Sequence, residues 1–206
     1  MDNLKKDALI YEKAVRFAAD AHQGSYRKGT TIPYLIHPLE VSVIVCRILR
    51  ELKGKVSFAE YEIMAAAVLH DVVEDTDYNI QDIRENFGER IEQIVAHESE
   101  DKREHVDPAA TWKLRKQEFL ENLAGAPIEA KMIALADKLS NARALLYEKK
   151  KLGNKMWEKF NQKNRHEQEW SYRSVAEYTS ELKDTSAYKE YGELLDVIFA
   201  EEKIEQ

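Results

Sequence analysis

The 206-residue chain has a single cysteine, four prolines and seven glycines. One cysteine leaves no partner for an internal disulfide, and a reduced, cytoplasmic protein is expected. Cys46 follows the apolar run Val41-Ser42-Val43-Ile44-Val45 and reads as a core residue. No stretch rich in proline, glycine or serine divides the chain, so no linker is expected. Nothing approaches the roughly 18 consecutive apolar residues that would span a membrane. The opening segment, Met1 to Asp7, is polar, and no signal peptide is expected. Positive charge is not in excess either: 31 Lys and Arg face 38 Asp and Glu, a net charge of −7. That balance argues against general nucleic-acid binding, which needs a basic footprint. No alternating run rich in Val, Ile and Thr occurs, so no sheet is expected. Internal repeats and low-complexity tracts are absent.

Helical periodicity fills the chain instead. It predicts an all-α protein, with a helical bundle over residues 1–150 and C-terminal helices over 151–206 that pack on it as one domain. Leu9, Ile10, Ala14, Phe17, Ala18 and Ala21 recur at three- and four-residue spacing in a helix from Leu4 to His22, stopped by Gly24. A polar loop, Ser25 to Tyr34, follows. His37-Pro38 opens a buried helix carrying Leu39, Val41, Val43, Ile44, Ile48 and Leu49. Ser57 to Asp75 reads as one helix, with Ser57 and Glu60 forming a capping box. Ile80 to Phe87 ends at Gly88, and Glu89 to His97 follows. Glu98 to Glu104 reads as a solvated charged loop. Further helices are expected from Pro108 to Leu123, from Ile128 to Tyr147, around Val175, Tyr178 and Leu182, and from Tyr188 to Phe199. His166, among charged residues, reads as solvated.

The chemistry concentrates in Leu69-His70-Asp71-Val72-Val73-Glu74-Asp75-Thr76. On one continuous helix His70 would stack over Glu74 and Asp71 over Asp75, about one turn apart. Three carboxylates at a helix C-terminus repel one another and oppose the macrodipole. A cation would neutralise them; the plainer alternative is a helix ending in solvated acids. Asp137 interrupts an otherwise apolar helix face. A buried carboxylate must be paired or metal-bound, and a salt bridge to Lys138 or Arg143 is the plain alternative. His37 stands at the mouth of a buried helix, as a cap or a ligand. Arg27 and Lys28 flank Gly29 in a loop that also holds Tyr26 and Tyr34, which suits oxyanions and stacked rings. Lys113, Arg115 and Lys116 give a later helix a cationic side.

Taken together, His37, His70-Asp71 and Asp137 spread over three helices resemble the HD-domain metal phosphohydrolases. The likeness extends to Ala21-His22-Gln23-Gly24, Arg27-Lys28-Gly29, Pro33-Tyr34-Leu35-Ile36-His37-Pro38, Leu69 to Thr76, Phe87-Gly88 and Leu135-Ala136-Asp137-Lys138-Leu139-Ser140-Asn141. These look like the hydrolase domain of RelA/SpoT-type enzymes, in order from about residue 8 to 146. Ser99-Glu100-Asp101-Lys102 with Trp112, Arg115 and Lys116 looks like the free-standing bacterial small alarmone hydrolases.

The resemblance implies an HD-domain helical bundle. It implies hydrolysis of the 3′-pyrophosphate of guanosine 3′,5′-bispyrophosphate (ppGpp) or the pentaphosphate, giving GDP or GTP and pyrophosphate. His37, His70, Asp71 and Asp137 would bind one divalent ion, Mn²⁺ by preference, with Zn²⁺, Fe²⁺ or Mg²⁺ as alternatives. Glu74 and Asp75 would orient and deprotonate water. Arg27, Lys28, Tyr34, Lys102, Arg115 and Asn141 would contact the nucleotide, with Lys116 able to complete a basic patch. The chain departs from the pattern at Ser140, where His is common, at Ala144, where Thr is common, and at Ser99 to Lys102. Two other readings are a phosphohydrolase acting on NADPH or a mononucleotide, and a non-catalytic nucleotide sensor. Oligomeric state is not legible, and no nucleic acid or membrane partner is expected.

Overall fold

A computed structural model of the chain describes residues 2–52, 60–99 and 105–200, with side chains from residue 9 onward. The elements run α1 (Asp2–Ala21), α2 (Ile36–Glu51), α3 (Glu60–Leu69), α4 (Val72–Asp75), α5 (Ile80–Phe87), α6 (Glu89–Glu98), α7 (Pro108–Ala124), α8 (Ile128–Leu152), α9 (Arg165–Tyr178) and α10 (Ser186–Ile198). Short 3-10 segments lie at Gly153–Lys159 and Ser180–Leu182. The fold is all-α: among the described residues there is no strand, only an isolated bridge between Tyr26 and Pro33. None of the helices is long and apolar enough to cross a membrane, among the described residues.

α3 and the first half of α8 hold the centre because unbroken apolar runs, Ile63 to Leu69 and Met132 to Ala136, turn apolar side chains to every side of the helix there. Ile63, Ala65 to Leu69 and Met132 to Ala136 are fully buried. The alanines let neighbours approach closely. Ala14 and Ala18 of α1 meet α3 from one side, and Val41, Ile44, Val45 and Ile48 of α2 meet it from another. A leucine or isoleucine fully buried here contributes roughly 1.5–3 kcal/mol. Val43, expected in this set, is instead 65% exposed. It lies two residues from Val41, about 200° around the helix, and so faces away from α3. Cys46 is half-buried.

The predicted 57–75 helix is interrupted. Ser57 lies outside the described residues. From Glu60 the helix runs to Leu69, and His70 and Asp71 form a turn before α4. The imidazole explains the break. His70 Nδ1–H donates to the carbonyl oxygen of Ala67 at 2.9 Å, the acceptor a continued helix would offer to Asp71 N–H. Neighbouring residues on a helix point about 100° apart; the turn lets the His70 and Asp71 side chains converge.

The next two helices lie where expected, with one end displaced. Asn79 caps α5 in a box with Asp82. Gly88, at φ +87°, takes the left-handed turn from α5 into α6. α6 then runs one residue past His97, and Glu98, expected in a solvated loop, is a buried helix-end residue at 8% exposure. Ile91, Ile94 and Val95 turn inward on α6 and carry that end of the helix onto α8. His166 is exposed, as expected.

The C-terminal elements share the central core. Met156, Trp157, Leu182, Tyr191, Leu195 and Phe199 pack in one cluster with side chains from α1, α2, α3 and α8. Trp157 stacks on Phe199 at 5.5 Å between ring centroids. Glu190 of α10 bridges Arg143 of α8 at 2.6 Å and Arg47 of α2 at 2.9 Å. Lys149 donates to the carbonyls of Val197 at 3.0 Å and Ile198 at 2.7 Å, closing the end of α10.

Candidate active site

Three elements bring four side chains together. His37 sits in the first turn of α2, His70 and Asp71 in the α3–α4 turn, and Asp137 in the middle of α8. His37 Nε2 lies 3.0 Å from Asp137 Oδ1 and 3.5 Å from Asp71 Oδ2. His70 Nε2 lies 3.0 Å from Asp71 Oδ2 and 3.8 Å from Asp137 Oδ1. Ligand atoms of His37, His70 and Asp137 are all within 4.8 Å of one another, a grouping that could hold a metal ion.

The outer hydrogen bonds define which ring nitrogens are bare. Ser140 Oγ donates to Glu40 Oε2 at 2.8 Å, so it accepts from His37 Nδ1–H at 2.9 Å. His70 Nδ1 faces a carbonyl and can only donate. With one ring proton each, both histidines turn Nε2 lone pairs towards carboxylate oxygens, and the buried His70 Nε2 makes no hydrogen bond of acceptable geometry. Lone pairs converging on lone pairs need positive charge between them. The donor set of two neutral imidazoles and two carboxylates fits a divalent cation, and the fixed Nδ1 partners match the support that metal-binding histidines require.

The electrostatics point the same way. Burial disfavours a charged His70, but Asp71 and Asp137 outweigh it and hold the imidazolium well above its usual range. Burial likewise opposes ionisation of Asp71 and Asp137. His70 and His37 overcome it for Asp71, and Lys138 with the histidines for Asp137, so both carboxyls lie well below the usual range. A proton thus occupies a place suited to a stronger cation. Asp137 also pairs with Lys138 at 2.6 Å, so the salt bridge and the ligand geometry coexist at one carboxylate.

This cluster opens into a cavity of about 160 Å³ whose walls include Glu74, Asp75, Glu98, Lys116 and Lys138. Tyr34 donates to Asp71 Oδ2 at 2.7 Å, and burial, then the charges of Asp71 and Asp75, push its phenol pKa far up. Burial pushes the Glu98 carboxyl up to about 8, and its Oε1 has no hydrogen-bond partner. His22 is buried against Tyr34, with ring centroids 4.8 Å apart, and burial lowers its pKa.

A second cavity, of about 860 Å³, adjoins the first along Tyr34, His37 and Asn141, which line both. One of its walls is the loop before α2. Backbone bonds from Arg27 N to Ile32 O and from Tyr34 N to Ser25 O, both 2.9 Å, fold that loop back on itself. Gly29 at φ +76° makes the tip. Arg27 Nη2 reaches Asn141 Oδ1 at 3.0 Å, and Asn141 Nδ2 reaches Asp137 Oδ1 at 2.6 Å. Lys28 lines this cavity, as do Ala144, Lys151, Lys159, Phe160 and Tyr172.

Of the residues singled out by sequence, Glu74 and Asp75 line the small cavity, Arg27 and Lys28 the large one, and Tyr34 and Asn141 both. Arg115 lines neither; its guanidinium donates to the Pro108 carbonyl at 3.5 Å. Lys116, one residue and about 100° further round α7, faces the small cavity. Lys102 lies outside the described residues. Glu98 was missed. It adjoins the charged run 98–104, and only the apolar spacing of Ile91, Ile94 and Val95, extended by one turn, marks it as inward-facing.

Comparison with known proteins shows the family. The HD domain family profile matches residues 14–162. The chain is 35% identical over 146 residues to Guanosine-3′,5′-bis(diphosphate) 3′-pyrophosphohydrolase MESH1 of Danio rerio, covering 69% of this chain and 72% of that protein. It is 32% identical over 143 residues to the Xenopus tropicalis protein of the same name, covering 69% and 73%. A solved structure of a metazoan orthologue of SpoT that hydrolyses ppGpp superposes with a TM-score of 0.64 at 27% identity, covering 92% of this chain and 93% of the other. A Listeria monocytogenes protein superposes with a TM-score of 0.64 at 30% identity, covering 82% and 97%. With the profile spanning most of the chain and these relatives covered over two thirds of their length, the protein belongs to the HD domain family, in its RelA/SpoT-type hydrolase branch.

Proposed function

We propose that this protein hydrolyses the 3′-pyrophosphate of guanosine 3′,5′-bispyrophosphate, or of the pentaphosphate, to GDP or GTP and pyrophosphate. One observation carries the reading. A nucleotide-sized pocket with a basic wall opens, through Tyr34, His37 and Asn141, onto a small cavity of paired imidazoles and carboxylates. A nucleotide with phosphates on both sides of its ribose suits two such adjoining chambers, its 3′ group inward. The names of the relatives support the same substrate.

His37, His70, Asp71 and Asp137 would hold one divalent ion, and two nitrogens with two carboxylates suit Mn²⁺, with Zn²⁺, Fe²⁺ and Mg²⁺ as alternatives. When bound, such an ion withdraws charge from phosphoryl oxygens and acidifies water. The chain's own side chains do the rest. Glu74 and Asp75 orient the attacking water and take its proton. The water oxygen bonds to the phosphorus carried by O3′, the P–O3′ bond breaks, and the ribose oxygen regains a proton to become a hydroxyl. Lys116 and Lys138 offset charge on the departing pyrophosphate. Arg27 and Asn141 hold the nucleoside at the junction of the two cavities. The proposed compartment is the cytoplasm.

The test is a Mn²⁺-supplemented panel of nucleotides in which pyrophosphate and orthophosphate are measured separately. Guanosine 3′,5′-bispyrophosphate should show the highest kcat/KM and release intact pyrophosphate. NADPH belongs in the panel because a pocket of about 860 Å³ is large enough for a dinucleotide. Orthophosphate as first product, or a higher kcat/KM for NADPH, would overturn the assignment.

A further inference from the structure

The outer part of the large cavity takes no part in the chemistry above, yet its charge runs against the rest of the chain. The protein carries a net charge of −7, while Lys28, Lys151 and Lys159 line this one cavity beyond Arg27. Lys28 and Lys151 have no carboxylate partner among the described residues. They rest over aromatic rings instead: Lys28 Nζ is 5.9 Å from the Phe160 centroid and Lys151 Nζ 4.4 Å from that of Tyr147. Lys159 Nζ lies 5.0 Å from the same Phe160 centroid that Lys28 meets, and pairs with Glu148.

Helix chemistry alone does not account for this. Lysines in the last turn of α8 complement its macrodipole, and Lys149, Lys150 and Lys151 all do so. Their tertiary roles differ. Lys149 is committed to carbonyls at the end of α10. Lys151 lines the cavity, and Lys150 does not. Lys159 arrives from the 3-10 segment after α8, which the Trp157–Phe199 stack anchors to the core. Two elements of the C-terminal part thus deliver ammonium groups to the side of the pocket away from the metal-type cluster. Glu40 and Glu148 line the same cavity, Glu40 paired with Arg143 and Glu148 with Lys159, so the ammonium groups of Lys28 and Lys151 are left to favour an oxyanion.

We infer that Lys151 and Lys159, together with Lys28, form a subsite for the 5′-polyphosphate of the bound nucleotide. The inference rests on the substrate reading above, which puts the 3′ group at the small cavity. A nucleotide held that way directs its 5′ group outward, towards these lysines. The segment after α8 then selects for nucleotides phosphorylated at the 5′ end.

Two substrates that differ only at the 5′ end test this: guanosine 3′,5′-bispyrophosphate, and guanosine 3′-diphosphate with a free 5′ hydroxyl. Both are assayed with the full-length, Mn²⁺-loaded protein and its Lys151→Ala, Lys159→Ala and Lys150→Ala variants. Lys151→Ala and Lys159→Ala should each raise KM for the 5′-phosphorylated substrate about threefold to fivefold, the upper range for an exposed ion pair, with kcat unchanged. KM for the 5′-hydroxyl substrate should stay within about twofold, and Lys150→Ala should alter neither. Equal KM changes for both substrates, or none for either, overturn the subsite. Binding of GDP and guanosine by calorimetry is the second readout: both variants should weaken GDP alone, and an unchanged GDP affinity overturns the subsite. If the wild-type protein releases pyrophosphate from neither substrate, the substrate reading falls, and the GDP and guanosine affinities still decide the subsite.

Discussion

Replacing Ser140 by alanine removes a single oxygen, yet that oxygen holds a ring in place. The side chain is 1% exposed. Its Oγ accepts from His37 Nδ1 at 2.9 Å and donates to Glu40 at 2.8 Å. Glu40 accepts in turn from Arg143 at 2.7 Å, and Glu190 steadies Arg143 from α10 at 2.6 Å. In Ser140→Ala nothing fixes His37 in the tautomer with a bare Nε2. Losing the partner behind a ligating histidine typically costs about 10–100-fold in metal affinity, or roughly 1.4–2.7 kcal/mol. The stranded Nδ1–H adds a separate loss of about 1–3 kcal/mol in folding stability. Thermal unfolding of the metal-free protein measures the second effect, and Mn²⁺ titration calorimetry on the folded variant measures the first. Ser140→Thr keeps the hydroxyl and should keep the affinity within about threefold. An unchanged Mn²⁺ Kd in Ser140→Ala would falsify the role given to this relay.

Three further outcomes are expected. Asp137→Ala should leave a helical protein by circular dichroism that takes up no Mn²⁺; full metal content in that variant would remove Asp137 from the ligand set. Glu74→Gln keeps size and hydrogen bonding but not basicity, so kcat should fall about 10²-fold or more with metal content intact; wild-type turnover would exclude Glu74 as the base. Glu98, held by burial at about 8 against a usual 4.5, binds its proton more tightly folded than unfolded. Its contribution to the metal-free protein is present at low pH and is lost as pH rises from about 4.5 to about 8, by up to a few kcal/mol. Glu98→Gln should remove that slope, so the variant should gain on the wild type as pH rises. A stability difference that stays flat over this window in urea unfolding would contradict the buried, protonated Glu98.

The helices were legible where local chemistry alone decides them. Ile80 to Phe87 forms α5 and stops at Gly88 as expected, and Asp137 announced itself as a carboxylate on an apolar face. The break at His70 was not legible. It arises from a side-chain bond to the Ala67 carbonyl, and no glycine or proline near His70 marks it in the sequence. The convergence of His70 on Asp71 follows from that break and was hidden with it. Arg115 and Lys116 differ by one residue, and no local signal says which of them faces the cavity. Val43 failed for the opposite reason: a helix apolar on most of its surface does not reveal which side meets α3. Glu98 and Lys151 depend on where distant elements pack, a property that charge composition does not carry.

Asn141 belongs to the walls of both cavities, and it joins Arg27 to Asp137 through two hydrogen bonds. A ligand that draws Arg27 or Asn141 towards itself changes what Asp137 Oδ1 receives. Occupancy of one chamber would thereby be thermodynamically linked to occupancy of the other. Such linkage is reciprocal: whatever factor a nucleotide adds to metal affinity, the metal adds to nucleotide affinity. A coupling of about 1–3 kcal/mol would change each affinity roughly 5–150-fold. When free metal is scarce, rising nucleotide would then recruit the ion it needs, and the protein would respond to the product of two concentrations.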